Sequence, residues 1–441
     1  MSGINGRQQI ADEAVRSVLR TQYDGITALR LDSPPGAGKT GVVERLAVQS
    51  MASFDERCMV VTETNEQAFD LSRRCATYFP KLPFTLMVRK TLRVPEGLKQ
   101  IPNLNVARSS GDVPRGPCIV IANARKWSWS DVGHFDSQII DEAFQLPDYG
   151  FHQVAGMADR FVLVGDPGQI APVVTCEIER WRCDASGPHV PAPSALIARH
   201  PDVLRMSLPM SRRLVADTVR FVQPAFYPQL PFEALSLDGE RRLLTRAAGG
   251  MKLDRLIELA EAGASVVQVE LPSLITGEVD EQLSDSIVEM ISRLLVRGAF
   301  IQDEVGERPL LPSMIGVACA HTSQVNAVRE RLPPHCGDVL VETAHRFQGL
   351  EREVMLIHHP LSGRADADSF HLDAGILCVM MSRHRVACFL FARSGIEELL
   401  SRHAPSGDRV LGSQNDEEFE GWRAHRSILE RLRHEHRIIA V

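Results

Sequence analysis

The chain has 441 residues, 44% hydrophobic and 24% charged, which suits two or three soluble globular domains. No apolar run approaches the roughly 20 residues that span a bilayer, and the opening MSGINGRQQIADEAVRS carries no apolar signal core, so a cytoplasmic protein with no membrane contact is expected. A net charge of −7 is not that of a dedicated nucleic-acid coat, although a groove needs only local positive charge.

Nine cysteines without a C-x-x-C pair read as reduced thiols, with Cys58, Cys118, Cys319, Cys378 and Cys388 in apolar runs as core residues. No zinc site is evident. A metal role for the pair His358-His359, at the end of a strand-like run, is not expected.

In chain order, GITALRLD precedes a Gly-rich loop, and GVVERLAVQSMASF follows it with helical spacing. RCMVVTET, PCIVIAN, SQIIDEA and DRFVLVGD come next, each short, β-branched and bounded by turn or polar residues. Continuous apolar strands separated by helices predict a parallel sheet covered on both faces. The first α/β domain is expected over residues 1–204, with residues 76–116, rich in Pro, Gly and basic side chains, as a small insertion or long loop. Residues 177–193 read as a loop.

A second series, SVVQVEL, MIGVACA, DVLVETA, REVMLIHHP and VACFLFAR, predicts a second parallel sheet over residues 205–400. Between its strands, Asp280 to Gly298 has helical spacing and a glycine stop. Residues 401–441 read as a helical tail rich in Arg and His, packed on the second domain.

SPPGAGKT, Ser33 to Thr40, is one residue away from a phosphate-binding loop, with Ser33 where the usual pattern has glycine. Such a loop needs small residues so that backbone N–H groups close around phosphate, and it should follow a strand and open a helix. This one does both. Lys39 supplies charge for the β- and γ-phosphates and Thr40 a hydroxyl for magnesium. Ser33 costs little if its φ is negative.

In SQIIDEA, Asp141 suits a magnesium ligand through water, and Glu142 suits orienting or deprotonating the attacking water. A solvated acidic pair is the plain alternative. Its place at a parallel strand's carboxyl end, where ligands gather, adds weight. In FVLVGDPGQI, Gln169 is placed to reach the γ-phosphate or the water, and Asp166 to tie the turn to the metal site; a plain turn is the alternative.

Taken in order, these stretches resemble a superfamily 1 helicase over roughly residues 4–393. INGRQQIA is similar to the family's adenine-reading Gln motif, with Gln8 as the glutamine, and SPPGAGKT to motif I. VTETNEQA is similar to motif Ia, with Thr64, Asn65 and Ala68 at the matching places, DEAFQ to motif II, and GDPGQIAPVV to motif III. LPMSRRL resembles motif IV, VETAHRFQGLE motif V, and VMMSRHR motif VI. DEAFQ, the FQG of motif V and HTSQV resemble the branch that includes the nonsense-decay and Dna2-type helicases, whereas Thr343, His345 and GLE resemble the UvrD branch.

The resemblance implies two RecA-like P-loop domains with ATP and Mg2+ in the cleft between them. Pro35, Gly36, Ala37, Gly38, Lys39, Thr40 and Gly41 would cradle phosphate, with Gly349 and Glu351 at the ribose or the cleft. Arg212, with its neighbour Arg213 as the alternative, and Arg383 would reach across from the second domain to the transferring phosphoryl group. A single strand would cross both domains, meeting Thr62, Thr64 and Asn65 in the first and Thr322, Thr343 and His345 in the second, without reading sequence.

In ANARKWSW, Arg125 and Lys126 suit phosphate contacts and Trp127 suits base stacking, while Trp127 and Trp129 suit the core equally well. The implied function is an ATP-dependent helicase or translocase on single-stranded DNA or RNA, with tailed duplex as a further substrate. It would work alone or in a replication, repair, decay or defence complex. The alternative is a nucleic-acid-stimulated ATPase acting as a switch or loader without strand separation. A small-molecule kinase explains neither Arg383 nor the QGLE element. Departures are Ser33 and the absence of the alanine that commonly follows the motif VI arginine.

Overall fold

The computed structural model describes residues 2–172, 174, 177–181, 184–403 and 417–441. Val173 of the GDPGQIAPVV stretch, Arg182 and Cys183 of the 177–193 loop, and residues 404–416 of the tail lie outside the described residues.

The first sheet holds eight parallel strands: β1 (Ala28–Asp32), β2 (Arg57–Thr62), β3 (Phe84–Met87), β4 (Leu104–Ala107), β5 (Cys118–Asn123), β6 (Phe135–Ile140), β7 (Ala158–Gly165) and β8 (Leu204–Ser207). Their spatial order is β4-β3-β5-β2-β6-β7-β1-β8. Alternate residues feed cores on opposite faces, Cys58 and Val60 into one, Met59 and Val61 into the other. Two-sided burial explains why these strands read as unbroken apolar runs.

Residues 76–116 do not form a separate insertion. They supply β3 and β4 to the outer edge of the main sheet, where Phe84–Met87 is buried throughout. Four-residue strands set among prolines and cations leave little period to read. At the opposite edge, β8 carries the first sheet as far as Ser207.

After the two-residue pair β9 (Met210–Ser211) and β10 (Glu233–Ala234), an antiparallel trio, β11 (Arg242–Leu244), β13 (Phe300–Asp303) and β14 (Gly306–Pro309), flanks the second parallel sheet. That sheet holds β12 (Val266–Leu271), β15 (Ile315–Cys319), β16 (Leu340–Thr343), β17 (Arg352–His358), β18 (His384–Arg393) and β19 (Ile438–Ala440). They are ordered β16-β15-β17-β18-β12-β19. It too is covered on both faces. The chain is thus two parallel α/β domains in tandem, each of RecA-like architecture.

The helix expected from Asp280 runs over Glu281–Val296. Asp280 caps it by accepting from the Leu283 N–H at 3.1 Å, and Arg393 holds the same carboxylate through Nε and Nη2 at 2.7 and 2.8 Å. The tail helix Glu417–His434 packs on helices Ala216–Phe226 and Ala374–Met381. The chain then adds β19 beside β12, pinned where Arg437 grips Asp217 at 2.6 and 2.8 Å. All seven described cysteines are buried and unpaired, and burial pushes the Cys58 thiol up to about 12. Among the described residues no helix is long and apolar enough to cross a membrane.

Candidate active site

In the first sheet β7 separates β1, which feeds the glycine loop, from β6, which feeds the acidic pair. The three carboxyl ends therefore converge on one place. Gly36 and Gly38 take the left-handed backbone, at φ of 72° and 88°. A side chain at Gly36 would overlap Arg213. Ser33 is not among the positive-φ residues; it lies buried, its N–H donating to Gly165 O at 2.8 Å. The leading position therefore needs no glycine, because the turn places its left-handed residues later. Helix Lys39–Phe54 starts immediately after the loop, so its free N–H groups face the cradle.

Lys39 Nζ donates to Glu142 Oε2 at 2.7 Å. Glu142 itself sits at φ 55°, one of three positive-φ non-glycine residues among those described. Such a conformation costs of order 1–3 kcal/mol, and it aims the side chain into the cleft. Asp141, one residue earlier, is buried; that burial, then the charge of Glu142, raise its pKa well above the carboxylate range, with Lys39 opposing.

Asp166 is also buried, which pushes its pKa up. It accepts from Tyr227 Oη at 2.7 Å, from the Gly168 N–H at 3.1 Å and from Gln169 Nε2 at 2.6 Å. Gln169 Oε1 is buried without a partner.

The facing wall comes from the second domain and the segment leading to it. Ser211 Oγ donates to Pro35 O at 2.6 Å and the Arg212 N–H to Gly36 O at 2.9 Å, so this segment lies directly on the loop. The two neighbouring arginines diverge. Arg212 flanks Gly38 and donates to Gln8 Oε1 at 3.3 Å. Arg213 donates to Glu351 Oε2 at 2.7 Å and to Ser382 O at 3.2 Å. Glu351 follows Gly349, at φ 80°, and its carboxyl is held below the usual range by the charge of Arg213 and by their hydrogen bond, against burial.

Arg383 is 2% exposed, and its Nε and Nη2 have no partner. Burial, then the nearby Arg213 cation, pulls its pKa down to about 10, while Asp166 and Glu142 lie close enough to oppose the shift. A buried guanidinium with two unpartnered nitrogens, facing an N–H-lined glycine cradle and an orphaned glutamine oxygen, fits a phosphate-bearing ligand with its metal.

The structure brings together Gln8, Pro35 to Gly41, Asp141, Glu142, Gln169, Arg212, Arg383, Gly349 and Glu351 around this cleft. The residues expected to touch a nucleic-acid strand are more mixed. Thr64 caps helix Asn65–Tyr78, accepting from the Gln67 N–H at 3.2 Å, and Asn65 accepts from Asn123 at 2.8 Å. Thr322 and Thr343 lie at the carboxyl ends of the paired strands β15 and β16, with His345 just beyond Thr343.

Two expectations are corrected. Thr62 is buried at the end of β2, its hydroxyl donating to Thr64 O at 3.0 Å, so it presents nothing to a strand. Trp127 is wholly buried: its indole N–H donates to Val60 O at 3.1 Å and its ring meets Phe135 edge-on, so it is a core residue and no base can reach it.

Tyr227 was not singled out from the sequence. It clamps Asp166 from the second domain, and its hydroxyl also lies 3.2 Å from Cys378 Sγ. The available signal was glycine: a side chain at Gly168 would run into the Tyr227 ring, and one at Gly375 into the backbone of Gln169 and Ile170.

No family model matches the chain. Over 266 residues, 58% of its length, the chain is 24% identical to the DNA replication ATP-dependent helicase/nuclease dna2 of Schizosaccharomyces pombe, and it spans 18% of that protein. Among solved structures, it is similar to an arterivirus nonstructural protein 10 helicase at 13% identity, over 86% of this chain and 61% of that one, with a TM-score of 0.42. An arterivirus nonstructural protein 10 helicase in complex with DNA matches at 13% identity, over 88% and 65%, with a TM-score of 0.44. The PRRSV helicase matches at 15% identity, over 86% and 54%, with a TM-score of 0.42.

Proposed function

We propose that this chain is an ATP-hydrolysing motor of the superfamily 1 helicase kind, moving on single-stranded nucleic acid. The observation that carries the reading is Arg383, a buried and unpartnered cation of the second domain placed opposite the Lys39–Glu142 pair of the first. Such a cation favours an anion in the cleft, and a triphosphate is the anion that the glycine loop is built for.

In this reading Lys39 exchanges Glu142 for the β- and γ-phosphates. Released, Glu142 accepts the proton of the attacking water, which Gln169 orients. Water oxygen bonds to the γ-phosphorus as the bond to the β-bridging oxygen breaks, giving ADP and phosphate. Arg383 and Arg212 stabilise charge on the transferring group, while Gln8 and Glu351 border the nucleoside. Thr40 and Asp141 would hold magnesium, which neutralises phosphate charge. The supporting arrangement is a cleft whose reactive groups come from both domains, so turnover is linked to closure. Thr64, Asn65, Arg125, Thr322, Thr343 and His345 are left as strand contacts, and the sequence match to a named helicase/nuclease agrees with a nucleic-acid substrate.

The test is ATP hydrolysis measured with single-stranded DNA and RNA and with 5′- and 3′-tailed duplexes. Stimulation by a single strand together with opening of one tailed duplex is the expected result, and it reads strand type and polarity together. Stimulation with no opening of any duplex selects the switch or loader. Hydrolysis indifferent to every nucleic acid rejects the motor.

A further inference from the structure

The outer half of the first sheet carries chemistry that the cleft does not use. Across the carboxyl edge, Thr62 of β2 registers with Asn123 of β5, Leu86 of β3 with Ile121 of β5, and Met87 of β3 with Ala107 of β4. The segments leaving β5, β3 and β4 therefore stand side by side, beyond β2 as seen from the nucleotide cleft.

These segments concentrate cations. Arg89, Lys90, Arg93 and Arg125 are exposed and Lys126 is half-buried, and the side chains of all five make no hydrogen bond or ion pair among the described residues. What sets them apart is their grouping on one sheet edge, since the side chains of Arg57, Arg160, Arg199, Arg241 and Arg393 all have acceptors. Burial, then the charges of Arg89 and Lys90, depress the Lys126 pKa, so the three cations crowd one another.

Two carboxylates of the same edge, Asp112 and Glu63, do not pair with these cations. Asp112 accepts from the backbone N–H groups of Arg108 and Ser109 at 2.9 and 2.8 Å. Glu63, exposed near Arg125, has its pKa raised by desolvation against the charge of Arg125, and forms no ion pair with it. The cation loop is also pinned: Arg108 Nη1 donates to the carbonyls of Arg89, Lys90 and Leu92 at 3.2, 2.7 and 3.2 Å. A rigid loop that holds like charges together raises its own energy, and a polyanion relieves it.

Beside this patch, at the end of the short helix Ala124–Ser128, stands Trp129, 84% exposed. Trp127, two residues earlier, supplies the core packing, which leaves the second indole free. Unpaired cations flanking an open aromatic face match a single strand, whose bases are unstacked, better than a duplex.

We propose that this outer edge is a single-stranded nucleic-acid contact surface, with Arg89, Lys90, Arg93, Arg125 and Lys126 on the phosphates and Trp129 stacked on a base. It extends the strand contacts beyond Thr64 and Asn65, away from the second domain, so that the first domain keeps hold of a strand while the cleft opens. The inference rests on the proposed function.

The test measures anisotropy of labelled oligo-dT and oligo-rU with wild type, Trp129→Ala, Trp129→Tyr and the double variant Arg89→Ala/Lys90→Ala, across a salt series without ATP. Thermal melting of each variant checks the fold. Trp129→Ala should weaken binding by about 5- to 150-fold while Trp129→Tyr retains it. The double variant should lower the slope of log affinity against log salt by about 1.4. Wild-type binding that all three variants match overturns the surface alone. Wild type that binds neither oligomer overturns the nucleic-acid reading and the surface with it.

Discussion

The two walls of the cleft handle charge in opposite ways. In the first domain the charged groups already have partners: Lys39 holds Glu142, and Asp166 is bonded three times over. In the second, Arg383 is buried with two nitrogens unbonded, and burial, then the neighbouring Arg213 cation, pulls its pKa down to about 10. The histidines divide the same way. His358, His359, His371, His384 and His425 are buried and all lie in the second domain, whereas none is buried among the described residues of the first. A self-neutralised wall is stable without its substrate. A wall that holds a desolvated, unpaired cation is poised, because the charge that builds on a phosphoryl group in transfer relieves a cost already present in the fold.

The contrast can be broken most severely at Lys39. Lys39→Ala should cut ATP hydrolysis by on the order of 1000-fold or more, and turnover near the wild-type rate would sink the two-wall scheme. Arg383→Ala should lower kcat by about 1000-fold with little change in KM, and Arg383→Lys should not restore it, because a point charge does not reproduce a planar fork. The same Ala variant should melt no lower than wild type, since it removes an uncompensated buried charge. A marked loss of stability would instead make Arg383 a structural ion.

Tyr227→Phe removes the hydroxyl that holds buried Asp166 and joins the two walls. A loss of about 1–3 kcal/mol in denaturant unfolding is expected, with slower turnover. An unchanged midpoint and rate would mean that the contact is incidental.

The smallest effect sharpens the comparison by pH. Burial pulls His358 down to about 4, and His384 and His425 to about 3, from an ordinary value near 6.5. A base with a lowered folded pKa takes up its proton more readily when unfolded. Stability is therefore complete above about pH 6.5 and drains away as pH falls toward 4. Hydrogen exchange should show second-domain strands opening first on acidification, and simultaneous opening of both domains would contradict this.

The sequence made some of this readable because the chemistry is local. A glycine loop between a strand and a helix is a contiguous pattern, and strands buried on both faces announce themselves as apolar runs. Other features depend on contacts that no spacing encodes. Trp127 and Trp129 are two residues apart and equal in type; only the approach of Val60 and Phe135 decides that the first is core and the second open. Thr62 looked available in VTETN until β2 proved to be flanked on both sides. Tyr227 follows a helix with no motif around it, and its role exists only because β7 ends opposite it. The strands β3 and β4 were obscured by their shortness, and β19 by the charged helix before it.

That last strand bears on how the second domain comes to be made. β12 is flanked by β18 on one side and by β19, formed from residues 438–440, on the other. During synthesis, every strand of the first domain is available long before β19 emerges. Until then Val266–Leu271, apolar in four of its six positions, stands as an open edge able to pair with another chain. The vulnerable interval in the life of this protein therefore falls after its first domain has closed and before residues 438–440 have docked.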